Sequence, residues 1–331
     1  MLEFQFGAPA ANSAVKGGAP TPMDTQKTTL LEGVFSVLPT PFSPDGQVDY
    51  ASLRRVVDLF LAAGVNGLTA LGVTSEVARL AEQERADILE TVIEHVAGRV
   101  PVVAGTSADS TRTCLEWSGA AAAAGAAAVM VSPPRMPKLH SDAVVRHFAA
   151  LAEAVDLPIV VQDYPPISGY AMEPWLLVRI AREIPSARSI KLEDPPTPYK
   201  TARILELADG LPLKIFGGLG GVFLLEELLA GATGAMTGFA YPEILVEVVR
   251  LFRSGETERA ADVFYRAVPL MRFEFQEGIG MAVRKEVLRR RGALAHAGIR
   301  SPGGTLDRAT LAALDRMLDW VRCNGITGTA S

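Results

Sequence analysis

From Gly33 to about residue 253, two patterns alternate along the chain. Short, nearly unbroken apolar runs cover 33–42, 67–71, 101–105, 128–132, 158–162, 187–196, 213–216 and 232–237. Each is followed by a longer segment with apolar residues every three or four positions: 49–64, 81–98, 110–125, 141–155, 173–184, 198–209, 222–230 and 243–253. The runs predict strands buried on both faces, and the 3.6-residue period predicts helices that cover them. In the first helix Leu53, Val56, Val57, Phe60 and Leu61 share one face, with Asp49 to cap its start and Gly64 to close it. Eight strand-then-helix units predict a parallel sheet closed as a (β/α)8 TIM barrel. A doubly wound open sheet is the alternative, but no GxGxxG follows the first strand.

Beyond about residue 255 only the helical period continues, over 256–274, 278–291 and 306–322. Residues 31–255 are therefore assigned to the barrel and 256–325 to a C-terminal helical extension. Residues 1–30 are rich in Ala, Gly, Pro, Ser and Thr without periodicity and read as a mobile tail. The tail lacks arginine and an apolar core, which makes it a poor signal or transit peptide. Met23 is a possible alternative start.

The chain is 49% hydrophobic and 21% charged, which suits a large core. A net charge of -5 leaves no basic footprint for nucleic acid. No run is long and apolar enough to span a membrane. Cys114 and Cys323 have neither metal nor redox spacing, so a reducing, cytoplasmic location is expected. His95, His140, His147 and His296 are scattered, and His140 and His147 read as surface residues on one helix. Without HxH or HExxH, no metal site is expected.

In such barrels chemistry sits at the C-terminal ends of the strands. In the sixth run Ile190 and Leu192 alternate with Ser189, Lys191 and Glu193, so the two sets take opposite faces. With the apolar pair against helices, Lys191 points into the interior. A lysine held from water is costly to keep charged, and a neutral amine can attack a carbonyl to form a Schiff base. The alternative is a lysine that reaches water or pairs with Glu193 or Asp194. Lys214 is the rival amine, but it begins its strand, at the opposite end of the barrel.

Three further strand ends are unusually polar. After the second strand, Gly72 permits close backbone approach, and Thr74 and Ser75 could hold a carboxylate or simply form a capped turn. After the fifth come Gln162, Asp163 and Tyr164. The glycine run that starts at Gly217 could cradle an anion or allow a tight turn, and it lacks a GK[ST] ending. Gly217, Met236 near the end of the eighth strand, and Arg135 after the fourth complete the candidate substrate contacts. Arg135 reads either as a partner for a distal carboxylate or hydroxyl or as a surface residue.

Taken together, these positions resemble the dihydrodipicolinate synthase / N-acetylneuraminate lyase family of Schiff-base class I aldolases, over roughly residues 31–300. The opening strand of that family looks like Val37-Leu-Pro-Thr-Pro-Phe42, its GTTGE-like loop like Gly72-Val-Thr-Ser-Glu76, and its "IK" lysine like Ile190-Lys191. The family's strand-5 tyrosine, which relays protons in a Y-N-x-P sequence, meets Gln162, with Asp163 at the asparagine. Its aromatic after strand 4 meets Ser132-Pro-Pro-Arg135, and the arginine that the synthases use for a second substrate meets Ile167. Gln-Asp-x-Pro, Ile190-Lys-x-Glu193 and the stretch 231–238 look more like the 2-keto-3-deoxy sugar acid (L-2-keto-3-deoxyarabonate) dehydratase branch.

The resemblance implies a cofactor-free lyase that acts on a 2-oxo acid, by dehydration or aldol cleavage. Lys191 would form the imine, Thr74 and Ser75 would bind the C1 carboxylate, and Gln162, Asp163 or Tyr164 would replace the tyrosine relay. It also implies a homo-oligomer, dimer or tetramer. The alternatives are a synthase or N-acetylneuraminate lyase-like aldolase, a non-catalytic 2-oxo acid binding barrel, and a metal-dependent aldolase.

Overall fold

The computed structural model describes residues 31–323, so the expectations for 1–30 and 324–325 lie outside the described residues. Eight parallel strands pair in sequence order: β1 (Gly33–Val37), β2 (Gly67–Ala70), β3 (Val102–Gly105), β4 (Ala128–Val131), β5 (Ile159–Asp163), β6 (Ser189–Leu192), β7 (Lys214–Gly217) and β8 (Gly234–Thr237). β8 pairs with β1 and closes the barrel. Around it lie α1 (Tyr50–Ala62), α2 (Glu82–Val96), α3 (Thr111–Ala124), α4 (Ser141–Ala154), α5 (Pro165–Ser168), α6 (Pro174–Glu183), α7 (Thr197–Ala208), α8 (Leu224–Leu229) and α9 (Pro242–Arg253). Then follow α10 (Thr257–Glu274), α11 (Gly280–Arg290) and α12 (Arg308–Cys323), with α10 packed along α9 and against both later helices. The fold is the expected TIM barrel with helices appended. Not foreseen were α5 and the 3₁₀ turns Val73–Ser75 and Leu219–Gly221, all single turns at strand ends.

The alternation of strand side chains produces two cores. Phe35, Val103, Ala128, Met130, Val160, Phe216 and Met236 fill the lumen, while residues such as Val34, Leu68, Val129, Ile190 and Ile215 meet the helices. Asp49 caps α1 as expected, accepting from the Ser52 amide at 2.9 Å. Lys214 sits at the far end of the barrel from the strand C-termini and pairs with Glu32 at 2.9 Å.

The surface reading of His147 is corrected. Its side chain lies on the same face of α4 as Val144, Phe148 and Leu151, because three- and four-residue spacing puts all four together. It is buried, with Nδ1 at 2.9 Å from Thr111 Oγ1, and burial lowers its pKa to about 4. His140 is exposed and caps α4.

The segment after α11 runs without helix across the β2 end of the barrel. Arg300 makes a bidentate pair with Glu84 at 2.6 and 2.7 Å, donates to Gly46 O, and lies over the Phe42 ring. Its backbone amide donates to Glu76 Oε2 at 3.1 Å. Arg300→Ala should remove this paired, half-shielded anchor and cost about 2 kcal/mol, read as a lower Tm in thermal unfolding.

Behind β7, Gly217 faces the helices, and a Cβ there would overlap the Glu227 carboxylate. Glu227 is buried; Thr197 donates to its Oε1 at 2.6 Å, and Oε2 has no partner among the described residues. Desolvation, partly offset by that hydrogen bond, raises its pKa to about 8 from 4.5. A folded pKa above the unfolded one means stability that is full below pH 4.5 and is lost as pH rises through about 8. Glu227→Gln, which cannot ionise, should therefore lose less Tm than the wild-type protein between about pH 5 and about pH 8. Parallel Tm–pH curves for the two proteins would contradict this.

Candidate active site

Gln162, Lys191 and Phe216 are register partners on β5, β6 and β7, and neighbours in register share a face. Phe216 belongs to the lumen cluster, so all three side chains point inward. The alternation of β6 therefore turns Lys191 into the barrel near its C-terminal end, where only 4% of the residue is exposed. The amine has a partner: Nζ lies 3.1 Å from Glu193 Oε2. The same oxygen accepts from Gln162 Nε2 at 2.7 Å, and Gln162 Oε1 accepts from Ser132 Oγ at 3.1 Å. A chain of polar groups thus links Lys191 through Glu193 and Gln162 to Ser132.

Ser132 and Gln162 line a cavity of about 410 Å³, with Gly72, Val73, Gly105, Met130, Arg135 and Ile167 among its other walls. That volume suits a small metabolite. Arg135 is exposed and is one of the residues that line the cavity. Tyr164 lies just beyond β5, as the residue before α5, and its phenol is raised above the usual range by desolvation and then by the nearby charges of Glu193 and Glu277.

The other candidates lie elsewhere. Asp163 follows Gln162 by one residue and so faces the helical shell, where Lys200 holds it at 2.6 Å and also pairs with Asp194 at 2.7 Å. The Asp163 pKa is about 6, raised by desolvation and pulled back by Lys200. Ser75 spends its hydroxyl on the turn, donating to Leu38 O at 2.5 Å and accepting from the Gly72 amide at 3.1 Å. Thr74 Oγ1, one residue earlier, is buried and without a partner among the described residues. Met236 is packed into the lumen core. The glycine run makes room for carboxylates: Gly217 for Glu227, and Gly218 for Glu193, whose Cδ would lie 2.7 Å from an added Cβ.

Two residues at this end of the barrel were not among the candidate site residues, although Glu193 was weighed as an ion-pair partner of Lys191. Glu193 carried a signal, since it lies two residues beyond Lys191 on the same face of the strand. Ser132 carried none beyond its place at a strand end.

Glu76 closes the β2 turn. It is buried, adopts a left-handed backbone (φ 59°), and pairs with the fully buried Lys285 of α11. Burial lowers the Lys285 pKa, with Glu76 opposing. Among the described residues no group of His, Cys, Asp and Glu is arranged to hold a metal ion, and no helix is long and apolar enough to cross a membrane.

The chain was compared with known proteins. The model of the dihydrodipicolinate synthetase family matches residues 30–320. The chain is 35% identical over 306 residues to an L-2-keto-3-deoxyarabonate dehydratase of Azospirillum brasilense, covering 90% of this chain and 97% of that protein. It is 33% identical over 262 residues to a 4-hydroxy-tetrahydrodipicolinate synthase of Methanopyrus kandleri, covering 78% and 86%. The crystal structure of a dihydrodipicolinate synthase from Rhodopseudomonas palustris superposes with a TM-score of 0.83 at 35% identity, covering 88% of this chain and 98% of that one. A prophage protein of the dihydrodipicolinic acid synthase family from E. coli K12, crystallised in complex with pyruvate, also gives 0.83 at 26% identity, covering 89% and 99%. With its barrel, its interior lysine and a family match across nearly its whole length, the chain belongs to the dihydrodipicolinate synthetase family, a family of lyases and dehydratases.

Proposed function

We propose that the protein dehydrates a 2-keto-3-deoxy sugar acid through a Schiff base on Lys191. The observation that carries this reading is the buried Lys191–Glu193 pair, joined through Gln162 to the wall of the cavity. Glu193 is positioned to accept the ammonium proton, which frees the amine to attack the C2 carbonyl. Glu193 returns that proton to the carbinolamine hydroxyl, which leaves as water, and the resulting iminium acidifies the C3 proton. Glu193, the ionisable group nearest the amine, takes that proton. Departure of the 4-hydroxyl, protonated as it leaves, gives the unsaturated iminium, and hydrolysis regenerates Lys191. The iminium formed on Lys191 is the electron sink, so the reaction needs no cofactor.

Gln162 cannot serve as a base, and it holds Glu193 in place between the amine and Ser132. The tyrosine relay of the family is thereby replaced by a carboxylate beside the nucleophile. Asp163, held by Lys200 on the other face of the strand, has no part in this scheme. Arg135 on the rim would meet the distal hydroxyls. Similarity to a named dehydratase over 97% of its length favours elimination over aldol cleavage. The family supports a homo-oligomer, dimer or tetramer, and the cysteine usage supports a cytoplasmic location.

Borohydride in the presence of pyruvate should trap a covalent adduct on Lys191, located by peptide mass spectrometry, and Lys191→Ala should abolish it. Failure to trap wild-type protein would remove the mechanism. Glu193→Gln should lower turnover of 2-keto-3-deoxy pentonates by at least about 10²-fold, in line with the loss of general acid–base catalysis. Trapping without turnover of any 2-keto-3-deoxy acid would favour a binding protein, and release of pyruvate would favour an aldolase.

A further inference from the structure

Lys200, in the first turn of α7, is buried, and its ammonium stands between two carboxylates, 2.6 Å from Asp163 Oδ2 and 2.7 Å from Asp194 Oδ2. Asp163 is fully buried, and its other oxygen accepts from the Met172 amide at 3.4 Å. Asp194 is less shielded, with 27% of its side chain exposed. A buried ion pair is a poor source of stability, because desolvation offsets most of the attraction, and an apolar residue would fill the outward position on β5 at less cost. What the pair adds is direction. Three charged groups in contact fix the distance between the segments that carry them.

Those segments are the two that carry the polar side chains around the amine. Asp163 is the residue after Gln162, and Asp194 is the residue after Glu193. Consecutive residues of an extended chain point to opposite faces, so a carboxylate fixed on the outer face also fixes the backbone that aims the inward side chain. Glu193 lies one residue beyond β6, where the ladder ends, and its amide donates to Asp163 O at 2.9 Å. On the inner face Gln162 Nε2 donates to Glu193 Oε2 at 2.7 Å, and that oxygen lies 3.1 Å from Lys191 Nζ. An outer bridge through Lys200 and an inner one through Gln162 thus tie β5 to the end of β6 from both sides.

We infer that Lys200 is a positioning residue for the reaction: by clamping Asp163 and Asp194 on the outer face, it holds Glu193 at proton-transfer distance from Lys191. This rests on the proposed roles of Lys191 and Glu193. Asp163 moves no proton in that scheme and serves as one jaw of the clamp. Lys200 acts from the opposite face, through the backbone of the two strand ends.

The rate at which pyruvate and excess borohydride trap Lys191 reports imine formation, whatever reaction follows. Lys200→Met, assayed well below its Tm, should be trapped at least about tenfold more slowly than the wild-type protein, the scale expected for a displaced proton acceptor. Its kcat for 2-keto-3-deoxy pentonates should fall in step, with KM near the wild-type value. Asp194→Asn keeps the buried Lys200–Asp163 contact and guards against a folding defect; it should show a smaller loss of the same sign. In a Glu193→Gln background, Lys200→Met should bring little further loss, because the group it positions is already gone. Wild-type trapping and kcat in folded Lys200→Met would overturn the clamp and leave the roles of Lys191 and Glu193 standing. A full further loss in the Glu193→Gln background would also overturn it, since Lys200 would then act by another route. A wild-type protein that traps no pyruvate would sink the Lys191 reading, and the clamp with it.

Discussion

A lysine ammonium buried inside a barrel must have a counter-charge, because burial without one costs far more than the fold can spare. Here the counter-charge is Glu193, two residues along the same strand face. Much of the surrounding design follows from placing that carboxylate. Gly218 lacks a side chain where the Glu193 carboxylate lies, and Gln162 donates to it from the next strand. Ser132 in turn donates to Gln162. In the proposed mechanism the group that balances the charge also moves protons to and from the amine.

Strand parity sorts the polar side chains of the barrel by face. Inward residues of β5 and β6, Gln162 and Lys191, meet in the lumen. Their outward neighbours serve the shell, as Asp163 does with Lys200 of α7. On β7 the outward Gly217 admits Glu227, a buried acid that stays protonated near neutral pH. The extension adds a third layer. Lys285 and the Arg300 amide hold Glu76. The turn after β2 is thus held from outside the barrel as well as from within.

The eight-unit rhythm, the helical extension and the inward lysine were legible from the chain because each rests on local periodicity. Strand parity also carried the information that Glu193 would accompany Lys191. That same parity argued against Asp163 once Gln162 was taken as inward, although both stood as candidates. His147 was misjudged because its place on the face with Val144 and Phe148 was not weighed. Ser75 and Gly217 were plausible as ligand contacts because a hydroxyl and a glycine give no sign, on their own, of what they will face.

Sequence by itself determined the period-2 and period-3.6 patterns, and with them the closed barrel, the interior lysine and the family. Those patterns are set by near neighbours along the chain, where covalent geometry dictates which face a side chain takes. Only the tertiary structure decided which polar groups meet: Glu193 with Gln162, Ser75 with Leu38, Lys285 with Glu76. These groups lie from about thirty to more than two hundred positions apart, so their meeting depends on how layers pack and not on local preference.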